Sequence, residues 1–292
     1  MRLSIVTINY NNAEGLRRTI NSVAEQTCKE FEHIIIDGGS SDGSVAILKS
    51  YEEHFVTYRF NNKTQYPLIT FVSEKDNGIY HAMNKGVRRA SGKYIQILNS
   101  GDILASPDVM ERMLSALDSL NSKHSLLNKD VVDILYGNMI KKDYATGKII
   151  GKSEEVEYSL RQYYSSTMNH DCCYIRRNLF DKYGLYDENL KIVSDWKWFM
   201  QAIGFGQVKP VYVDIDVTIF DTSGISEANL DLRNKERRQV IEELLPPALL
   251  ADYDAYSFPI EQYKRLKKYH IWPIVYFVER VLFKLNKWHI LK

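Results

Sequence analysis

The chain has 292 residues, 45% of them hydrophobic and 26% charged, enough apolar content for one large α/β domain or two small ones. Its net charge of +1 excludes a globally basic nucleic-acid binder, and three cysteines, two of them adjacent, exclude a disulfide framework. The chain opens on an apolar run with no basic segment ahead of it, and no stretch approaches the roughly 18 apolar residues of a spanning helix, so a cytoplasmic protein is expected.

Leu3–Ile8 predicts a buried strand that closes on the polar cluster Asn9-Tyr10-Asn11-Asn12, and Leu16, Ile20, Val23 and Ala24 follow at helical spacing. His33–Ile36 predicts a second strand, ending at Asp37 and the loop Gly38-Gly39-Ser40-Ser41-Asp42-Gly43-Ser44, with a short helix over Val45–Tyr51 behind it. Ile69–Val72 predicts a third strand, ending in Ser73-Glu74-Lys75-Asp76-Asn77-Gly78, and Ile79, Met83, Val87 and Ala90 stripe the next helix. That helix delivers the chain to Tyr94-Ile95-Gln96-Ile97-Leu98, a buried strand that stops on the turn Asn99-Ser100-Gly101-Asp102. Strands alternating with helices, with polar residues at the strand C-termini, argue an α/β fold with a mainly parallel sheet and a ligand site along one edge.

Beyond Asp102 the pattern changes. Pro107–Leu120 predicts a helix, Asn121–Lys129 a polar connection and Val131–Asn138 a strand. Lys141 to Tyr158 alternates weakly around Thr146-Gly147, a hairpin signal. Asn178–Tyr183 and Asp195–Ile203 predict helices, and Val211–Phe220 alternates as an antiparallel strand. From Glu261 onward, eight Lys or Arg stand against two Glu, while Ile271, Ile274, Val275, Val278, Val281, Leu282 and Leu285 fall at helical spacing near Trp272, Phe277 and Trp288. A basic amphipathic helix with such aromatics fits the surface of an anionic membrane, or else packs on the main domain or on a partner.

Asp37, Asp76 and Asp102 end three strands and should converge on one sheet edge. An Asp after a strand is often only a turn former or helix cap, and Asp42 is the strongest case for that role. A lone Asp such as Asp102 suits a hard cation held against a phosphate. A dinucleotide site would need G-x-G-x-x-G directly after a strand, a spacing that Gly38-Gly39-Ser40-Ser41-Asp42-Gly43 lacks. A sugar nucleotidyltransferase would need a Gly-rich basic loop where this chain has Asn9-Tyr10-Asn11-Asn12.

Three segments carry a resemblance: Ser4-Ile5-Val6-Thr7-Ile8-Asn9-Tyr10-Asn11-Asn12, Ile34-Ile35-Ile36-Asp37 with its Gly-Ser loop, and Asp76-Asn77-Gly78-Ile79-Tyr80-His81-Ala82-Met83-Asn84-Lys85-Gly86. Together they resemble the family 2 glycosyltransferases of the GT-A fold, nearest the branch that builds bacterial capsular, colanic-acid-like and O-antigen polysaccharides. The resemblance spans about residues 1–225 and implies a nucleotide-binding half over 1–102, an acceptor half over 103–225 and a helical tail over 226–292. It implies that Thr7 and Tyr10 pack on the nucleotide base and that Asp37 hydrogen-bonds a uracil ring, with Gly38 and Asp42 beside the nucleoside. Asp76, Asn84 and Lys85 would lie near the ribose, diphosphate and donor sugar. Ser100 stands where the family's D-x-D motif has its first acid, so Asp102 alone would be the anionic ligand of Mn²⁺ or Mg²⁺. Asp195 matches the general base of inverting members. His170 falls where the family often carries a His, and Trp196 and Trp198 beside the base would meet an acceptor sugar.

The activity so implied is hexosyl or N-acetylhexosaminyl transfer from a nucleotide-diphosphate sugar, in the first place a UDP-sugar, to a saccharide or lipid-linked acceptor in cell-surface polysaccharide synthesis. The enzyme would work in the cytoplasm or on the inner face of the cytoplasmic membrane, is compatible with a homo-oligomer and needs no nucleic-acid partner. The alternative is a non-catalytic scaffold subunit that binds nucleotide sugars within a membrane polysaccharide complex.

Overall fold

The computed structural model describes all residues except 65–66, 127–130, 154, 157–162, 164–166, 223–228 and 288–292, so Trp288 and the far end of the Lys141–Tyr158 stretch lie outside the described residues. Four parallel strands form the first half of one sheet: β1 (Leu3–Asn9), β2 (Phe31–Asp37), β3 (Leu68–Ser73) and β4 (Tyr94–Ile97), in the order β3-β2-β1-β4. Every residue of β1, β2 and β4 is buried. Strands covered on both faces read as continuous apolar runs, which is why they were visible without alternation. The connecting helices are α1 (Ala13–Ala24), α2 (Ser44–Asn62) and α3 (Ile79–Arg89). The register sets Asn9 beside Asp37 and Asp37 beside Ser73, so three strands end level on one edge.

The second half of the sheet mixes directions. It uses β5 (Ile103–Leu104), β6 (Ile134–Asp143), β7 (Lys148–Ser153), β8 (Cys173–Arg176) and β9 (Pro210–Asp221). The order continues from β4 as β8-β6-β9-β5, with β7 paired to β6 as the expected hairpin. β9 runs antiparallel to β5 but parallel to β6, so the antiparallel expectation for Val211–Phe220 holds for only one of its two neighbours. Helices α4 (Val109–Leu126), α5 (Asn178–Tyr183) and α6 (Ser194–Phe199) complete this half, and a π-helical turn over Met200–Phe205 continues α6. The architecture is the α/β, mostly parallel sheet expected from the sequence.

Two departures have local causes. α2 runs well past Tyr51, because Leu48, Tyr51 and Phe55 keep one side buried through Glu52-Glu53-His54, which contains no helix breaker. α4 continues through Asn121 to Leu126, and the Asn121 amide oxygen accepts a hydrogen bond from Val132 N at 2.9 Å, which ties the chain to the helix and delays β6 until Ile134.

Two contacts seat α3 and β2 on β1. A Cβ at Gly86 would strike Val6 Cγ1, so α3 lies on the strand only because residue 86 has no side chain. Buried His33 bridges Thr7 Oγ1 at 2.9 Å and Tyr51 OH at 3.0 Å, and its burial drives its pKa down to about 3, leaving the ring neutral.

The chain forms two compact units, Met1–Arg237 and Arg238–Lys292, with α7 (Leu230–Leu244) running across the boundary. The second unit contains α8 (Pro247–Lys268) and α9 (Trp272–Lys287). Among the described residues no helix is long and apolar enough to cross a membrane.

Candidate active site

The β2 end is built around Asp37. Its Oδ1 accepts from Asn9 Nδ2 at 2.7 Å and Ser40 Oγ at 2.5 Å, and its Oδ2 accepts from Ser40 N at 2.9 Å and Ser73 Oγ at 2.6 Å. Burial pushes this carboxyl up, but the donors outweigh it and hold Asp37 below its ordinary value. The bonds lock the Gly38–Ser44 loop against β1 and β3. Asp42 does the turn work its sequence context suggested, accepting from Ala13 N at 2.7 Å and from Ser44 N and Oγ at 3.1 and 2.6 Å.

Tyr10 leaves β1 with its ring 68% exposed, and a Cβ placed on Gly38 would lie 3.1 Å from that ring and 3.4 Å from Asp76 Oδ2. Tyr10, Gly38 and Asp76 therefore share one small surface. Asp76 Oδ1 takes Lys85 Nζ at 2.7 Å and His81 Nδ1 at 3.2 Å, whereas its Oδ2 is buried with no hydrogen-bond partner among the described residues. An orphaned carboxylate oxygen is costly unless a ligand supplies the donor.

The Asn99–Asp102 turn is pinned to the start of α1. Asn12 caps that helix through Gly15 N at 3.1 Å while its amide reaches Ser100 O at 3.1 Å and Oγ at 3.3 Å. Thr19 Oγ1 donates to Asp102 O at 2.7 Å and accepts from Gly101 N at 2.9 Å. Gly101 has φ +109°, a conformation that favours glycine. Asp102 is buried, and its Oδ1 accepts from Asp221 N at 2.9 Å, with Arg18 on the Asp221 carboxylate at 2.9 Å. Burial, then the neighbouring Asp171 carboxylate, push Asp102 well above the usual range, only partly offset by the Asp221 N–H and by His170. Asp171, also buried, accepts from Thr218 Oγ1 at 2.7 Å.

Two buried acids side by side suit a cation, since like charges cannot both ionise cheaply without one. Among the described residues no group of three or more His, Cys, Asp or Glu encloses a metal position. Asp102 and Asp171 would therefore give a divalent ion at most two protein carboxylates, few enough to suit one that also binds phosphate oxygens.

Asp195 opens α6 and is held at both oxygens. Tyr80 OH lies 2.9 Å from Oδ1 and 2.6 Å from Ile192 O, so its one proton is divided between two acceptors, and His170 Nδ1 lies 3.0 Å from Oδ2. A carboxylate only accepts, so His170 donates through Nδ1, and its Nε2 meets Asn99 Nδ2 at 3.2 Å. A hydrogen-bonded chain thus runs from Asp195 through His170 to the turn that carries Asp102. Burial pushes Asp195 up, but the His170 hydrogen bond and charge, with the Tyr80 hydroxyl, hold it below its ordinary value, and the same pairing raises His170 against its own burial. Asp195, His170 and Trp196 line a cavity of about 580 Å³, together with residues of β6, β7, β9 and α7.

Several residues singled out in the sequence lie elsewhere. Thr7 points into the core at His33 and offers no surface to a base. Asn84 is buried with its amide committed to Tyr186 N, Tyr186 O and Glu188 Oε1, so it clamps α3 to the 184–188 turn. Lys85, by contrast, stays at the candidate site: it is buried and holds Asp76 as well as Glu74, the latter at 2.6 Å. Trp198 is core, stacked on Phe180 at 4.7 Å with its Nε1 on Gly184 O, and its ring does not reach the cavity. Motif residues near a site often hold the fold that holds the site, and local sequence cannot separate the two jobs. Tyr80, Asn99, Asp171 and Asp221 were not singled out; Asp171 beside His170 in Asn169-His170-Asp171 was the one local signal available.

Comparison with known proteins places the chain in a family. The family model described as Glycosyl transferase family 2 matches residues 4–184. An uncharacterized glycosyltransferase of Mycobacterium tuberculosis H37Rv is 30% identical over 226 residues, 76% of each chain. A PGL/p-HBAD biosynthesis glycosyltransferase of Mycobacterium bovis BCG is 24% identical over 225 residues, covering 76% of this chain and 77% of its own. Among solved structures, the mannosyltransferase PcManGT of Pyrobaculum calidifontis, in complex with GDP-Man and Mn²⁺, superposes with TM-score 0.59 at 15% identity over 87% of this chain and 69% of its own. The S. aureus TarS 1–349 complex with UDP superposes with TM-score 0.55 at 18% identity over 76% of this chain, and the match spans 60% of that longer protein. At such identities the two structures establish a shared fold.

Proposed function

This chain belongs to glycosyl transferase family 2, and we propose that it is an inverting enzyme that moves a sugar from a nucleotide-diphosphate donor, in the first place a UDP-sugar, to a saccharide or lipid-linked acceptor. The observation that carries the reading is the Asp195–His170–Asn99 chain: Asp195 lines a cavity of about 580 Å³, and His170 links it to the turn that bears Asp102. Inversion needs a base on the acceptor side and charge neutralisation on the leaving side. Asp195 is the proposed base, a carboxylate on the cavity wall within reach of an acceptor hydroxyl bound there.

On the donor side, Tyr10 is proposed to stack on the nucleotide base, with Gly38 admitting the ring from below and Asp76 Oδ2 accepting from a ribose hydroxyl. Asp37, fully bonded inside, shapes this loop and contacts the nucleoside only if one of its four donors lets go. Asp102, with Asp171 behind it, would hold Mn²⁺ or Mg²⁺, which when bound neutralises the departing diphosphate. Tyr10→Ala is expected to weaken UDP binding by about 1–3 kcal/mol, the usual worth of base–aromatic stacking, and to leave the melting temperature unchanged because the ring is exposed. The reading as a whole is tested by nucleoside-diphosphate release from UDP-, GDP- and dTDP-sugars with Mn²⁺ or Mg²⁺. A protein that binds a nucleotide sugar yet releases nothing from any of them would be the scaffold instead.

The tail is proposed to hold the enzyme on an anionic membrane. On α9, Ile274, Phe277, Val278, Val281 and Leu282 are exposed at helical spacing, and the chain around them is basic. Ending the chain after Tyr269 should abolish sedimentation with vesicles containing 30% (roughly) phosphatidylglycerol, whereas sedimentation of the shortened protein at full strength would refute the anchor.

A further inference from the structure

We infer that Glu236, on α7, is a positioning residue for the base: it holds the backbone at Lys191–Ile192, and through the Ile192 carbonyl it sets how Tyr80 shares its proton with Asp195. The inference rests on reading Asp195 as the base. Glu236 is buried, and its two oxygens accept from successive backbone amides, Oε1 from Lys191 N at 2.8 Å and Oε2 from Ile192 N at 2.9 Å. Two consecutive N–H groups turned to one side make a small anion-binding concavity, and here the chain fills it with its own carboxylate. Hydrogen bonds to a charged acceptor are the strong ones, so Glu236 fixes this stretch of backbone more firmly than a neutral side chain would.

The held segment leads straight into the site. Ile192, Val193, Asp195 and Trp196 all line the cavity. α6 begins at Ser194, and Lys197 N bonds Val193 O at 2.9 Å, so the helical turn that carries Asp195 grows directly from the residues that Glu236 fixes. Ile192 also faces the other way: its carbonyl accepts the Tyr80 hydroxyl at 2.6 Å, and that hydroxyl lies 2.9 Å from Asp195 Oδ1. Tyr80 has one proton to give, and Ile192 O is the nearer acceptor. While Ile192 stays in place, Asp195 receives only a share of that proton and keeps its basicity for an acceptor hydroxyl. Once the segment slides away, the proton passes wholly to Asp195, which stabilises the carboxylate and makes it a weaker base. Glu236 acts on the base through one backbone residue and one hydroxyl.

The test is a double-mutant cycle on the full-length protein, read by nucleoside-diphosphate release in Mg²⁺ from the nucleotide sugar that the wild type turns over best. In Glu236→Gln the amide oxygen keeps one backbone donor while its NH₂ faces the other, so one bond is lost at nearly constant volume. We expect kcat to fall about 10–10²-fold, the scale of a small displacement at a reacting group, with donor KM and UDP affinity unchanged. Tyr80→Phe removes the shared proton, and in that background Glu236→Gln should lower kcat by only about threefold or less, because the two residues act along one route. Should Glu236→Gln fail to fold, Glu236→Asp, which keeps the charge but is too short to meet both amides, goes through the same cycle and the same results decide. An unchanged kcat, equal losses in both backgrounds, or a fall in kcat matched by lost UDP affinity would each overturn the inference, the last by showing Glu236 to be only a clamp of the fold. None of these touches the glycosyltransferase reading. Undiminished turnover by Asp195→Asn would overturn Asp195 as the base, and this inference with it.

Discussion

Asp195→Asn is expected to slow sugar transfer by about 10²–10⁴-fold with little change in UDP affinity, the range that a positioned general base supplies. The substitution keeps the side-chain shape and removes the charge. Tyr80 OH can still donate to the amide oxygen, but the new NH₂ faces His170 Nδ1, so a donor meets a donor unless the imidazole shifts its proton. Nucleoside-diphosphate release under single-turnover conditions reads the chemical step, and a thermal shift with UDP reads the donor site separately. The wild-type pH profile follows from the direction of the Asp195 shift. A carboxylate held below its ordinary value is ionised throughout the neutral range, so activity should persist into mildly acid solution and fall only as pH drops through that lowered pKa. Asp195's contribution to stability has the same sign, present above the ordinary carboxylate range and lost in acid, whereas that of His170, whose pKa is raised, is present below the ordinary imidazole value and lost as pH rises.

Asp102→Asn is expected to act in opposite directions on activity and stability. Metal-stimulated release should fall by about 10²-fold or more, because the diphosphate would lose the anionic protein ligand that positions its counterion. The metal-free protein should become more stable. Asp102 has its pKa raised in the folded state, so whatever stability its protonated form carries is present below the ordinary carboxylate pKa and lost as pH rises through the raised value. At neutral pH an uncharged isostere beside Asp171 removes that penalty. A gain of about 1 kcal/mol would raise the melting temperature by about 2–4 °C for a unit of this size. Calorimetry with and without Mn²⁺ checks both halves: the variant should melt higher than wild type in chelator and gain nothing from the metal. A variant that melts lower in chelator would show Asp102 to be an ordinary structural acid.

The first hundred residues were readable because their information is local. β1, β2 and β4 are buried along their whole length, and α1 and α3 carry apolar stripes, so neither period nor boundary depends on distant partners. The second half needed topology. β9 alternates as an antiparallel strand does, yet its long partnership with β6 is parallel, a matter of where the chain returns to the sheet. The site divides in the same way. Asp102 and Asp195 were visible through strand-end position and family resemblance. The chain that joins them was not, since Tyr80 reaches Asp195 across 115 residues and Asn99 reaches His170 across 71. Thr7, Asn84 and Trp198 show the converse: side chains inside or beside a motif that turn inward to pack and clamp. Glu236 lies outside every motif, and only the fold brings α7 to the segment that precedes Asp195.

The most direct test follows the anomeric proton by ¹H NMR during the first minutes of turnover of an α-linked nucleotide sugar, UDP-GlcNAc and GDP-mannose first, in Mg²⁺ with water or a glycoside as acceptor. Single displacement assisted by Asp195 predicts that the first-formed product is the β-anomer and that Asp195→Asn suppresses its appearance. A first-formed α-anomer, or undiminished turnover by the Asn variant, would contradict it.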